Sequence, residues 1–194
     1  MKNNLQMISS LLNLQAARIA DPTVSELLDE SRNRIRAMAL VHENLYRAGN
    51  FARVPMSTHI QSLCAHLIRA YGLREQRIEL TTDVDEVELD LDTAVSVGLI
   101  ISELVSNALK HAFPNARAGS VRVELKLLGE RRYALAVIDD GVGLPADRDV
   151  HDAGSLGLQL VDDLTQQLHG RIAVRRGSGT NFTVTFAADG RSEM

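Results

Sequence analysis

Apolar residues recur at helical spacing from residue 2 to residue 48, and no glycine interrupts them before Gly49. The spacing predicts two helices. The first carries Leu5, Ile8 and Leu12 on one line, continued by Gln15, with Met7, Leu11 and Leu14 beside it. It ends at the Ala20-Asp21-Pro22 step, where Asp21 reads as an N-cap and Pro22 as the first position of the next helix. The second helix has its own stripe in Val24, Leu27, Leu28, Ile35, Met38, Val41 and Leu45, with Arg32, Arg34 and Arg36 mostly on other faces. Two helices alone cannot enclose two such stripes. A second copy of the hairpin, giving a dimeric four-helix bundle, is the simplest cover.

Beyond Gly49 the period changes. The pattern predicts a helix over 57–71 ended by Gly72, a short strand over 78–82 and a long, largely apolar helix over 92–111. Alternation then marks strands over 121–127 and 133–138 on either side of a Gly129 turn. A glycine-containing loop over 141–157 leads into a helix reaching about residue 168, and strands over 171–175 and 180–186 flank Gly177-Ser178-Gly179. The fold class is α+β: a helical hairpin over 1–50, then an α/β sandwich over 51–190 with helices on one face of a mixed sheet.

Composition removes several alternatives. The chain has 194 residues, 45% hydrophobic and 24% charged, which argues for a folded core rather than disorder. A formal net charge of −4 with scattered Lys and Arg leaves no basic stripe for a phosphodiester backbone, so nucleic acid is not an expected partner. The single cysteine, Cys64, falls among Leu63, Leu67 and Ile68 and reads as a buried thiol. No apolar run is expected to span a bilayer, since Glu103 interrupts the longest candidate, and no export signal is seen; a cytoplasmic setting without membrane contact is expected.

Candidate chemistry lies in four short strings. ELVSNALKHA places Glu103, Asn107 and Lys110 at spacings of four and three, a polar line on an apolar helix. An Mg²⁺ ion sharing its ligands with nucleotide phosphates suits such a line; a solvated helix face is the bland alternative. VIDDGVGL sets Asp139 and Asp140 at a strand end before Gly141 and Gly143, where a carboxylate can accept from an exocyclic amine and the glycines admit a planar ligand. An ordinary Asp-Gly turn has the same appearance. GSLGL puts Gly154 and Gly157 ahead of a helix, a phosphate-favouring placement, and GSGT forms the last turn. Neither a P-loop nor a dinucleotide-binding GxGxxG is present.

In this order, the four strings resemble the ATP-binding domain shared by histidine kinases, gyrase-type ATPases, Hsp90-type chaperones and MutL-type repair proteins, the GHKL type. The resemblance covers roughly residues 57–187. It implies ATP and Mg²⁺ as cofactors, with Asn107 holding the metal, Glu103 assisting proton removal or positioning the metal, and Lys110 and His111 near the phosphates. It further implies that Asp139 takes the adenine amino group, that Gly141 and Gly143 permit close approach, that the segment up to Gly157 is a flexible lid, and that Gly154, Leu156, Gly157 and Leu158 contact the nucleotide. Gly177, Gly179 and Thr180 complete the adenine side.

The first half narrows the family. KNNLQMISSLLNLQ followed by ESRNRIRAMALVHENLY resembles the dimerisation hairpin of sensor histidine kinases whose first helix carries HRxKNNLQ. That resemblance implies a homodimer and phosphoryl transfer from ATP to a hairpin histidine, then to a response-regulator aspartate. The acceptor histidine of that subfamily precedes Lys2-Asn3-Asn4, so this chain is not expected to phosphorylate itself; His42 is expected to be structural. Two further readings are a non-catalytic phosphotransfer scaffold and an anti-sigma-type serine kinase. The intact Asn107 and Asp139 strings oppose the first, and the hairpin opposes the second.

Overall fold

The structure is a computed structural model and describes residues 21, 24, 28, 31, 34, 35, 39, 53–71, 77–144 and 156–188. The first predicted helix, the junction of the second with the catalytic half, His42 and the loop residue Gly154 lie outside the described residues. Within the second helix, Val24, Leu28, Ser31, Arg34, Ile35 and Ala39 are helical, and Asp21 ahead of them is not.

The elements follow in the order β1 (Val54–Pro55), α1 (Met56–Ala70), β2 (Ile78–Val84), β3 (Glu88–Leu89), α2 (Leu91–His111), a 3₁₀ turn (Pro114–Ala116), β4 (Gly119–Gly129), β5 (Arg132–Asp139), α3 (Leu156–Gln167), β6 (Arg171–Gly177) and β7 (Gly179–Ala187). Five strands form one sheet in the order β2-β4-β5-β7-β6, while β1 and β3 pair separately. All contacts in the large sheet are antiparallel except β2 with β4, which is parallel. The helices cover one face, giving the expected two-layer α+β sandwich.

Alternation decides which face is covered. On β5, Tyr133, Leu135 and Val137 are buried, and each meets an apolar partner on both sides. Val137 pairs with Val123 on β4 and Phe182 on β7, and Leu135 pairs with Leu125 and Val184. The next residue in phase is Asp139, which pairs with Val121 and Thr180. A carboxylate therefore occupies a core-facing position.

Helix α2 is the axle of the helical layer. Asp90 caps its N-terminus, accepting from the Thr93 N–H at 3.0 Å and the Thr93 hydroxyl at 2.6 Å. Its sides are buried almost all round, from Ala94 to Leu109, because α1, α3 and the sheet all pack on it. Gly98 makes this possible on one side: a Cβ there would lie 2.9 Å from the Nε2 of buried His59 on α1. The Tyr71 and Ser106 hydroxyls are hydrogen-bonded, tying the end of α1 to α2. By length and composition alone α2 could cross a membrane, with a mean hydropathy of 1.3, which corrects the expectation that no run qualifies. Its most apolar window is 67% buried inside the domain, so it is the core helix here. Cys64 is buried as expected, and burial pushes its thiol up to about 12.

Candidate functional site

A cavity of about 420 Å³ opens between the C-terminal half of α2 and the sheet. Leu104, Asn107, Ala108, His111 and Ala112 line its helical wall. These positions are spaced three and four apart, so one stripe of α2 supplies the whole wall. Val137 and Asp139 of β5 and Thr180 and Phe182 of β7 form the floor. Val142, Gly143 and Leu144 close one side, and Leu158 of α3 reaches in from another. The lining is thus mostly apolar with a few convergent polar groups, the usual make-up of a site for a planar heterocycle.

Asp139 is the most constrained of those polar groups. It is 8% exposed, and its Oδ1 accepts from the Gly141 N–H at 2.9 Å and the Thr180 N–H at 3.2 Å. Burial raises its carboxyl above the ordinary range; the Gly141 and Thr180 N–H groups and the Thr180 hydroxyl oppose that shift, and neighbouring Asp140 adds to it. An ionised carboxylate offers about four acceptor positions. Capacity remains for a donor from the cavity. Asp140, one residue out of phase, faces away and is used structurally. It accepts from the Ser120 N–H at 2.7 Å and the Ser120 hydroxyl at 3.0 Å, while Arg117 donates to its carbonyl at 3.0 Å. The Ser120 N–H and hydroxyl, with Arg117 nearby, hold its carboxyl below the usual value against slight desolvation. The structure therefore separates two adjacent aspartates into one that faces the cavity and one that braces β4.

The glycines around Asp139 have little room. A Cβ at Gly179, where φ is +106°, would fall 1.9 Å from the Asp139 carbonyl oxygen, and one at Gly141 would fall 2.4 Å from the Ala112 carbonyl oxygen. Gly143 has φ +77° and lies against the Gly177 and Gly179 carbonyls. Three strings distant in sequence thus meet backbone to backbone, and the Val142 N–H donates to the Ala112 carbonyl at 2.9 Å to hold the arrangement.

Of the expected residues, Asn107, His111, Asp139, Gly143, Leu158 and Thr180 line the cavity. Gly141 and Gly179 are close-approach positions outside the lining, whereas a Cβ at Gly177 would meet nothing within 4 Å and only its carbonyl is approached, by Gly143. Lys110, one residue from His111, is half-buried and is not among the lining residues, nor is exposed Leu156. Gly157 is also buried, and a Cβ there would lie 2.7 Å from Glu103 Oε2 and 3.8 Å from Asn107 Nδ2. Glu103 itself is 6% exposed and lies beside the cavity rather than on its wall. Arg34 of the helical segment clamps it, Nε to Oε1 at 2.6 Å and Nη2 to Oε2 at 2.9 Å.

Asn107 suits an Mg²⁺ ion that keeps its waters and shares phosphate oxygens, because its amide oxygen is a hard, neutral donor on the cavity wall. No cluster of three or more His, Cys, Asp or Glu exists among the described residues, so a full protein cage for a metal is not formed there.

Comparison with known proteins agrees with this geometry. Residues 92–190 match the family model described as histidine kinase-, DNA gyrase B-, and HSP90-like ATPase, and the chain belongs to that family. Residues 1–71 match a second model, described as histidine kinase, which places the chain on the kinase branch. Among curated relatives, sensor histidine kinase PdtaS of Mycobacterium tuberculosis is 34% identical over 197 residues, covering 100% of this chain and 39% of its own length. Blue-light-activated histidine kinase 2 of Erythrobacter litoralis is 28% identical over 180 residues, 91% of this chain and 51% of its own. The chain thus spans about half or less of these relatives. The solved histidine kinase domain of the Erythrobacter litoralis blue-light-activated kinase superposes with a TM-score of 0.77 at 27% identity, covering 95% of this chain and 85% of that one. An anti-sigma F factor of Clostridium beijerinckii is 29% identical over only 35% of the chain.

Proposed function

We propose that this chain is the nucleotide-binding and dimerisation core of a two-component sensor kinase, binding Mg²⁺-ATP in the α2–sheet cavity. The observation that carries the reading is Asp139. A buried carboxylate, in phase with the apolar core and bonded through two backbone N–H groups, faces an apolar slot of about 420 Å³. It accepts the adenine amino group, while Val137, Phe182 and Leu104 bury the ring faces. Asn107 holds Mg²⁺, which supplies charge neutralisation on the phosphates. His111, exposed at the end of α2, and Lys110 serve the phosphate end, and Leu158 helps enclose the ligand.

Phosphoryl transfer of this kind rests on positioning and electrostatics, with little covalent work for the protein. The acceptor is a histidine of the hairpin in the parent enzyme, followed by a response-regulator aspartate, and the hairpin pairs with a second copy in a homodimer in the cytoplasm. The agreement of kinase relatives along 91% and 100% of the chain, against 35% for the anti-sigma factor, supports this over a serine kinase. Incubation with γ-labelled ATP tests the acceptor assignment. No acid-labile label is expected on this chain; such a label would mean that His42 or another histidine serves.

A further inference from the structure

The Arg34–Glu103 pair joins residues 69 apart in sequence, one on the helical segment and one on the axle of the nucleotide site. Both side chains are largely shielded, at 16% and 8% exposure, and the contact is bidentate, the strongest geometry available to this pair. Glu103 precedes Asn107 by one helical turn, and its Oε2 fills the space left by Gly157 at the start of α3. The carboxylate is therefore in the layer of the metal-binding asparagine but is engaged from behind by a cation. With both oxygens engaged by the guanidinium, Nε to Oε1 and Nη2 to Oε2, the carboxylate is directed at Arg34 rather than at the cavity.

We propose that Arg34 is a positioning residue that latches Glu103: while the pair stands, the helical segment is held against the catalytic domain and Glu103 is withheld from the nucleotide site. Release of Arg34 returns a carboxylate to the Asn107 layer, so loading with Mg²⁺-nucleotide and closure of the latch oppose each other. By linkage, whatever moves the helical segment changes Mg²⁺-nucleotide affinity, and the nucleotide in turn biases the segment. The inference rests on the nucleotide-site reading above.

Two measurements test it on the whole chain. Calorimetry with adenylyl imidodiphosphate, with and without Mg²⁺, gives the gain in affinity due to the metal. Arg34→Gln should raise that gain about fivefold or more, the lower range of ordinary site-to-site coupling, and Arg34→Lys should fall between. A merely structural role would leave the ratio unchanged. The second measurement uses nitroxides on Val24→Cys and Leu128→Cys, both exposed positions, in an otherwise unaltered chain whose own Cys64 is buried. Their separation should lengthen on adding Mg²⁺-nucleotide, and Arg34→Gln should lengthen it with no nucleotide present. An unchanged Mg²⁺ ratio, or a separation that neither the nucleotide nor the substitution alters, overturns the latch. Absence of any nucleotide binding would instead sink the site reading, and the nucleotide-free separation would still decide the latch. Should Arg34→Gln fail to fold, the doubly labelled chain with native Arg34 decides the matter: lengthening on Mg²⁺-nucleotide supports the latch, and a constant separation overturns it.

Discussion

Replacing Asp139 separates its two jobs. The carboxylate bonds the Gly141 and Thr180 N–H groups, and in the proposed complex it also accepts from the adenine amino group. Asp139→Ala removes both. A hydrogen bond to a charged group contributes about 1.5–3 kcal/mol, so ATP affinity should fall roughly 10- to 150-fold. Two orphaned N–H groups would cost about 1–3 kcal/mol each if dry, but the cavity admits water, so roughly 2 kcal/mol in total is the better figure. That corresponds to about 5 °C in Tm. Asp139→Asn isolates the second job. Its amide oxygen can still accept from Gly141 and Thr180, so Tm should stay near wild type. Its NH₂ then faces the adenine amino group, donor against donor, and ATP affinity should fall as far as with alanine. Inosine triphosphate, which presents an oxygen at that place, should lose far less or gain. Calorimetric titration of both nucleotides against all three proteins is the assay. If Asp139→Asn binds ATP as wild type does, Asp139 does not face the adenine amine and the orientation of the nucleotide is wrong.

Other expectations come from the same contacts. Gly179→Ala, with φ +106° and a Cβ 1.9 Å from the Asp139 carbonyl oxygen, should abolish nucleotide binding and lower Tm by more than Asp139→Ala, read by calorimetry and thermal melting. Asp90→Ala removes the cap of α2 and should cost about 1 kcal/mol in denaturant unfolding, with ATP affinity little changed. His59 is fully buried and burial lowers its pKa from 6.5 to about 4, so folding keeps it neutral. Between those values the unfolded chain binds the extra proton. Stability should therefore be lost as pH falls from about 6.5 to about 4, by at most roughly 3 kcal/mol, and the loss should shrink in His59→Gln.

Much of the fold is visible in periodicity, because α1 and the central strands β4, β5 and β7 bury one face, while α2 is betrayed by its length and apolar content. Strand β5 shows why the site is visible too. Tyr133, Leu135 and Val137 set a phase that Asp139 continues and Asp140 breaks, so the alternation itself picks the aspartate that faces the cavity. Asp90 with Thr93 forms a readable cap just before the helix start that hydrophobicity alone suggests. The β1–β3 pair cannot be read, since two-residue strands such as Val54–Pro55 carry no period. Nor can the parallel pairing of β2 with β4, which depends on a connection running through α2. The Arg34–Glu103 contact is hidden for a different reason. An arginine off the apolar stripe has the same local signature whether it meets solvent or a carboxylate 69 residues away. The fit of Gly157 against Glu103 is hidden likewise, because it belongs to packing between two helices.

Nucleotide occupancy of the α2–sheet cavity is tested most directly by calorimetric titration of the unaltered chain with ATP in the presence of Mg²⁺. Saturable binding of one nucleotide per chain is expected, strengthened by Mg²⁺ and weakened by Asn107→Ala chiefly in its Mg²⁺-dependent part. Absence of saturable binding by the folded chain at millimolar ATP would contradict the assignment of this cavity to ATP.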